Sequence, residues 1–102
     1  MKNTFLSTLF VGIDVSSKTN VLCALDFQGN KLLNLKVSNN QPGAISILDS
    51  ILGCLSSNGL KYVVIGMEST SFYSTHIANF LSSSEELLPF KPLVYCLNPK
   101  TV

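Results

Sequence analysis

Arginine is absent from this chain, and charge of either sign is scarce. Charged residues make up 13% of the 102 positions, and the net charge is +1. Affinity for nucleic acid rests largely on phosphate neutralisation, so a free-standing binder usually carries a basic face. No such face is visible here, and any firm grip on nucleic acid must lie elsewhere. Apolar residues at 46% exclude a disordered chain. So little charge leaves few polar groups to cover an exposed sheet, which points to apolar surface meant for a partner or for further sequence. The three cysteines, Cys23, Cys54 and Cys96, lack the paired spacing of a zinc site and read as reduced, buried thiols. No apolar run reaches the ~18 residues of a membrane span. Met1 to Phe10 looks like a weak signal peptide, but Asp14 interrupts the run and no small-residue cleavage site follows. The expectation is a cytoplasmic protein without membrane attachment. With no repeat, low-complexity tract or linker, residues 1–102 form a single domain.

Leu9 to Val15 reads as a buried strand with one acid near its end. Lys18 to Phe27 alternates as a second strand, with Val21, Cys23, Leu25 and Phe27 on one face. Gln28-Gly29-Asn30 is a turn, and Lys31 to Ser38 a third strand with Leu33, Leu35 and Val37 on one face. Short turns make these three an antiparallel meander. The period then changes. Asn39 or Asn40 caps a helix, Pro42 suits its first turn, and Ala44, Ile45, Leu48, Ile51, Leu52 and Leu55 form its apolar stripe up to Asn58-Gly59. Lys61 to Met67 is a continuous apolar strand, suited to cover on both faces. Ser69, Thr70 and Ser71 can cap a second helix, striped by Phe72, Tyr73, Ile77, Phe80 and Leu81. Leu87 to Lys91 is a loop, and Pro92 to Leu97 a fifth strand. The order is β-β-β-α-β-α-β, an α/β fold with a mixed sheet.

Two acids sit at unusual places. Asp14 ends the first apolar strand and Glu68 ends the fourth. If these strands are parallel neighbours, both carboxylates arrive at one edge of the sheet. Their repulsion, and the cost of desolvating them, is relieved by a hard divalent cation. Mg²⁺, or Mn²⁺ in its place, favours one or two carboxylates together with phosphate oxygens and water, the arrangement that metal-assisted phosphoryl transfer uses.

Val11-Gly12-Ile13-Asp14-Val15-Ser16, followed by Lys18 and the strand to Asp26, resembles the start of the DEDD-motif transposases of insertion sequences, whose N-terminal domain is RuvC-like. Gly66-Met67-Glu68-Ser69-Thr70-Ser71-Phe72-Tyr73 resembles the family's second motif, with Ser71 where glycine is usual. Asn98-Pro99-Lys100 resembles the stretch closing the fifth strand, and Asn39 to Gly43 the polar lead into the first helix. The resemblance implies a ribonuclease H-like, RuvC-like fold that stops before its last elements, with Asp14 and Glu68 as the first two catalytic, metal-binding acids. Two further aspartates and a C-terminal domain with a nucleophilic serine would lie outside this chain, which then could not complete the reaction alone. The implied activity is Mg²⁺- or Mn²⁺-dependent cleavage and transfer of DNA strands in transposition. The implied partners are DNA, a structured guide RNA and further copies of the protein.

Four neighbours of the acids carry two readings each. Ser16 and Lys18 either approach phosphate or simply form a turn. Thr70 and Tyr73 either orient the Glu68 carboxylate or contact nucleic-acid backbone, or else cap and stripe the second helix, which is the favoured reading. His76 is a lone histidine without ligand spacing. The chief rival function is an ATPase of the actin, sugar-kinase and chaperone superfamily, which shares this fold core. Its first phosphate loop needs a glycine where Ser16 stands. A RuvC-like Holliday-junction resolvase has the same active-site logic, and a degenerate interaction module is the non-enzymatic reading.

Overall fold

The computed structural model describes residues 4–69 and 74–97. Five strands form one sheet: β1 Thr8–Val15, β2 Thr19–Leu25, β3 Lys31–Ser38, β4 Tyr62–Ser69 and β5 Leu93–Leu97. Two helices, α1 Gln41–Ser57 and α2 Ser74–Ser82, interrupt them after β3 and β4. The spatial order is β3-β2-β1-β4-β5. The meander β1–β3 is antiparallel, whereas β4 and β5 run parallel to β1. A parallel return needs a long crossover, which α1 and α2 supply.

The turns follow from local chemistry. Between β2 and β3, Asp26 accepts hydrogen bonds from the backbone of Gln28 and Asn30 and from the Asn30 side chain, each at 2.9 Å. Gly29 takes φ +90°, a value that side chains resist. Asn40 caps α1 by accepting from the Gly43 amide at 2.9 Å, with proline in the first turn. At the far end Asn58 folds back onto the Cys54 carbonyl, and Gly59, at φ +63°, reverses the chain.

Both helices lie on one face of the sheet. The core unites Leu9, Val11, Ile13 and Val15 of β1 and Val63, Ile65 and Met67 of β4 with Ile47, Ile51 and Leu55 of α1 and Ile77 and Leu81 of α2. Burying each such side chain contributes about 1.5–3 kcal/mol before entropy is charged against it. Among the described residues no helix covers the opposite face. Phe5 stacks on Phe27 with centroids 5.6 Å apart, Phe10 tilts against Phe27 at 6.5 Å, and Val21, Leu93 and Tyr95 stand exposed.

Several expectations shift. The α1 stripe is rotated: Ile47 and Cys54 face the core, whereas Ile45 is exposed and Leu52 half-buried. A seventeen-residue apolar helix offers competing stripes, and the sheet beneath selects one. β4 is covered on one face among the described residues, not on both. Leu87, expected in a loop, is fully buried, and a 3₁₀ turn, Leu88–Phe90, follows it. Cys54 is buried, but Cys23 is half-buried and Cys96 exposed, so the cysteines are not uniformly core residues.

Candidate functional site

Strand parity decides where the acids point. Along β1, Leu9, Val11, Ile13 and Val15 enter the core, so Asp14 must leave by the other face. In β4, Val63, Ile65, Met67 and Ser69 enter the core, and Glu68 leaves likewise. The two strands pair in parallel without a break from Thr8↔Tyr62 to Val15↔Ser69, and within that register Asp14 is the partner of Glu68. The two carboxylates therefore stand side by side on the open face, at the C-terminal ends of the two central parallel strands. Both are exposed, and neither accepts a hydrogen bond from a described residue.

One pleat below, Gly12 pairs with Gly66. A side chain at Gly66 would meet nothing within 4 Å, and one at Gly12 only the Cys23 carbonyl at 3.9 Å. The glycine pair thus opens a trough beneath the acids. Its floor and walls come from Gly12, Gly66, Val21, Cys23, Asp14 and Glu68, around a volume of about 440 Å³. Across the strands the acid row reads Lys36, Val21, Asp14, Glu68. Lys36, which the sequence did not single out, is thereby on the same face, two strands from Asp14. Its signal was a charge between the apolar residues Leu35 and Val37 of the third strand.

The other expected residues divide. Ser16 and Lys18 lie exposed in the β1–β2 turn, just past Asp14, and Ser16 Oγ closes that turn through Thr19. Thr70 and Tyr73 fall outside the described residues, as do Ser71, Phe72 and the motif from Asn98 to Lys100. His76 is exposed on α2. Asn39, a candidate helix cap, leaves that role to Asn40. Its side chain instead donates to the Ser16 carbonyl at 2.6 Å, and its backbone amide donates to the Lys18 carbonyl at 2.8 Å.

The donor set fits a hard cation in part. Two adjacent carboxylates with open surroundings suit Mg²⁺, which keeps most of its water and takes one or two protein carboxylates. Among the described residues no group of three or more His, Cys, Asp or Glu side chains could hold a metal ion. No described helix is long and apolar enough to cross a membrane.

The solved structures similar to this chain share its fold at low identity. An Argonaute of Marinitoga piezophila in complex with guide RNA and target DNA superposes with a TM-score of 0.64 at 17% identity, covering 95% of this chain and 17% of that one. A Bacteroides thetaiotaomicron protein with an actin-like ATPase fold gives 0.57 at 13% identity, covering 91% and 34%. Pelota of Archaeoglobus fulgidus gives 0.53 at 12% identity, covering 88% and 26%. The chain thus spans about a third or less of the proteins it superposes on. No curated protein sequence matches it. The architecture is a ribonuclease H-like α/β sheet. The family of DEDD transposases named for IS110, described as transposase, matches residues 11–102. That match takes in both acidic strands and nearly all of the sheet, and so the chain belongs to the DEDD transposase family.

Proposed function

We propose that this chain supplies the Asp14–Glu68 half of the catalytic centre of a DNA transposase, which cleaves and transfers DNA strands with Mg²⁺ or Mn²⁺. The observation that carries the reading is the register of β1 on β4, which sets the two carboxylates side by side on an exposed face. Asp14 and Glu68 would hold the metal from one side and leave its other positions to water and phosphate oxygens. When bound, a divalent ion supplies charge neutralisation at the scissile phosphate and lowers the pKa of bound water. The protein's own task is to fix two anions at a spacing they would not choose, on strands too well paired to relax. Lys18, and Ser16 beside it, would meet the DNA backbone at the rim of the turn. Thr70 and Tyr73 would orient the Glu68 carboxylate or meet nucleic acid. DNA is the proposed substrate, and a structured guide RNA and further copies of the protein are the proposed partners. Nothing in the site favours ATP: the turn after Asp14 is Ser16-Ser17-Lys18, with no glycine to let backbone amides approach a phosphate.

The test is Mn²⁺ titration of the chain followed by electron paramagnetic resonance, with DNA strand transfer by the transposase as the second readout. Asp14→Asn and Glu68→Gln should each weaken Mn²⁺ binding and lower strand transfer by on the order of 100-fold or more, the scale of losing one charge-stabilising group from an active site. Full activity in either variant would sink the reading. Magnesium-dependent ATP binding by the wild-type chain would favour the ATPase instead.

A further inference from the structure

A chain of two amides ties the turn beyond Asp14 to the start of α1. The Ser16 carbonyl can only accept, so the atom of Asn39 that faces it at 2.6 Å is the amide nitrogen Nδ2. That leaves Asn39 Oδ1 to accept from Asn20 Nδ2 at 3.4 Å. The direction of both amides is thereby fixed. Asn39 also donates its backbone N–H to the Lys18 carbonyl at 2.8 Å, and so one residue grips the turn at both ends. Within the turn, the Ser16 amide donates to the Thr19 carbonyl at 2.9 Å and the Thr19 amide to Ser16 Oγ at 3.1 Å. Next to Asn39, Asn40 caps α1. The grip is therefore anchored on a seventeen-residue helix rather than on a loop.

The cost of this arrangement lies in Asn20. It is 1% exposed, in a core row with Val15 and beside Leu22, and its Oδ1 meets no hydrogen-bond partner among the described residues. An apolar residue there would satisfy the core better. Stability alone does not account for a buried amide that spends its one bond on Asn39. The group served at the end of the relay is the exposed turn carrying Lys18, which lies within roughly 10 Å of Asp14 along the strand direction.

We infer that Asn39 is a positioning residue: it holds the Ser16–Lys18 turn so that the Lys18 ammonium meets a nucleic-acid phosphate next to the one at Asp14 and Glu68. This rests on the proposed reading of Lys18 as a backbone contact. Lys18 is exposed and pairs with no described carboxylate, so its charge is free for such a contact. Its four-carbon stem is flexible, and a fixed turn is what gives a flexible cation a defined reach.

The experiment is a double-mutant cycle on DNA binding by the intact transposase, read by fluorescence anisotropy with a labelled duplex over a range of salt concentrations. Lys18→Ala should weaken binding and lower the slope of log K against log salt by about one, the signature of one lost phosphate contact. Asn39→Ala should do the same, and the double variant should be no weaker than Lys18→Ala alone. A purely structural Asn39 would lower the melting temperature, leave the salt slope unchanged and add to Lys18→Ala, and that outcome would overturn the inference. If Asn39→Ala does not fold, Asn39→Ser, which keeps a short hydrogen-bonding side chain but loses the amide, replaces it in the same cycle. An unaltered slope in Lys18→Ala would overturn both the Lys18 contact and the role of Asn39. The metal reading stands apart, because Mn²⁺ titration of Asp14→Asn and Glu68→Gln measures it without DNA.

Discussion

Replacing Glu68 by Gln should make the metal-free chain more stable. Cα partners on adjacent strands lie about 4.8 Å apart, and since both side chains leave the same face, their carboxylates are separated by roughly 5–6 Å. Two unit charges at that distance repel by about 0.7 kcal/mol in a water-like dielectric and about 3 kcal/mol at an effective dielectric of 20. Both groups are exposed, so the lower figure governs. A gain of about 0.5–1 kcal/mol raises the melting temperature of a domain this size by roughly 3–6 °C. Asp14→Asn should gain less, because Lys36 stands two strands from Asp14 and three from Glu68 on the same face. The assay is thermal unfolding by circular dichroism in chelator at low salt, at 1 M NaCl and with Mg²⁺. At 1 M salt the screening length is about 3 Å and the advantage of Glu68→Gln should vanish. Mg²⁺ should stabilise the wild type and leave the variant almost unmoved. A variant no more stable than wild type at low salt, or an advantage that survives 1 M salt, would refute the argument from repulsion.

Two further predictions concern the scaffold. Hydrogen bonds from the Asn30 side chain and then the Asn30 backbone, opposed by desolvation and aided further by the Gln28 and Gly29 backbone, hold the Asp26 carboxyl below its ordinary value. A depressed folded value means stability that is present above the ordinary carboxylate pKa and lost as pH falls through the folded one. Melting of wild type and Asp26→Asn at pH 7 and pH 3 should therefore show a gap that closes on acidification; a constant gap would contradict it. Two glycines of α1 should respond to alanine with opposite signs. A Cβ at Gly43 would run into the Ser38 carbonyl, whereas one at Gly53 meets open space. Urea unfolding should show Gly43→Ala losing about 1–3 kcal/mol and Gly53→Ala gaining about 1 kcal/mol.

Much of this was legible from periodicity. Period-two strands, a change to helical spacing after Ser38 and turn residues between them are local signals, and they place all five strands and both helices within a few residues. The proximity of Asp14 and Glu68 could be read because the order of elements makes the first and fourth strands parallel neighbours. What periodicity could not choose was the face. In β2 both alternating sets are apolar, Leu22 and Ala24 against Val21 and Cys23. Pairing of Ile13 with Leu22 and Val11 with Ala24 sends the first set inward. The same ambiguity rotated the stripe of α1. Asparagine at position 39 suits a helix cap by residue type alone; its grip on the turn at Ser16–Lys18 is a tertiary contact with no local signature.

The unbroken ladder between the two central strands also limits how this protein can change length. Additional residues between β3 and β4 need only lengthen a crossover, which costs little chain entropy. A single inserted residue between Tyr62 and Glu68 is a different matter. It reverses the inside and outside of everything after it, drives a carboxylate among Ile13, Ile77 and Leu81, and turns Met67 out to solvent. Lineages of this domain should therefore vary in their connections while conserving odd and even along the strand, because that parity keeps the charge outside.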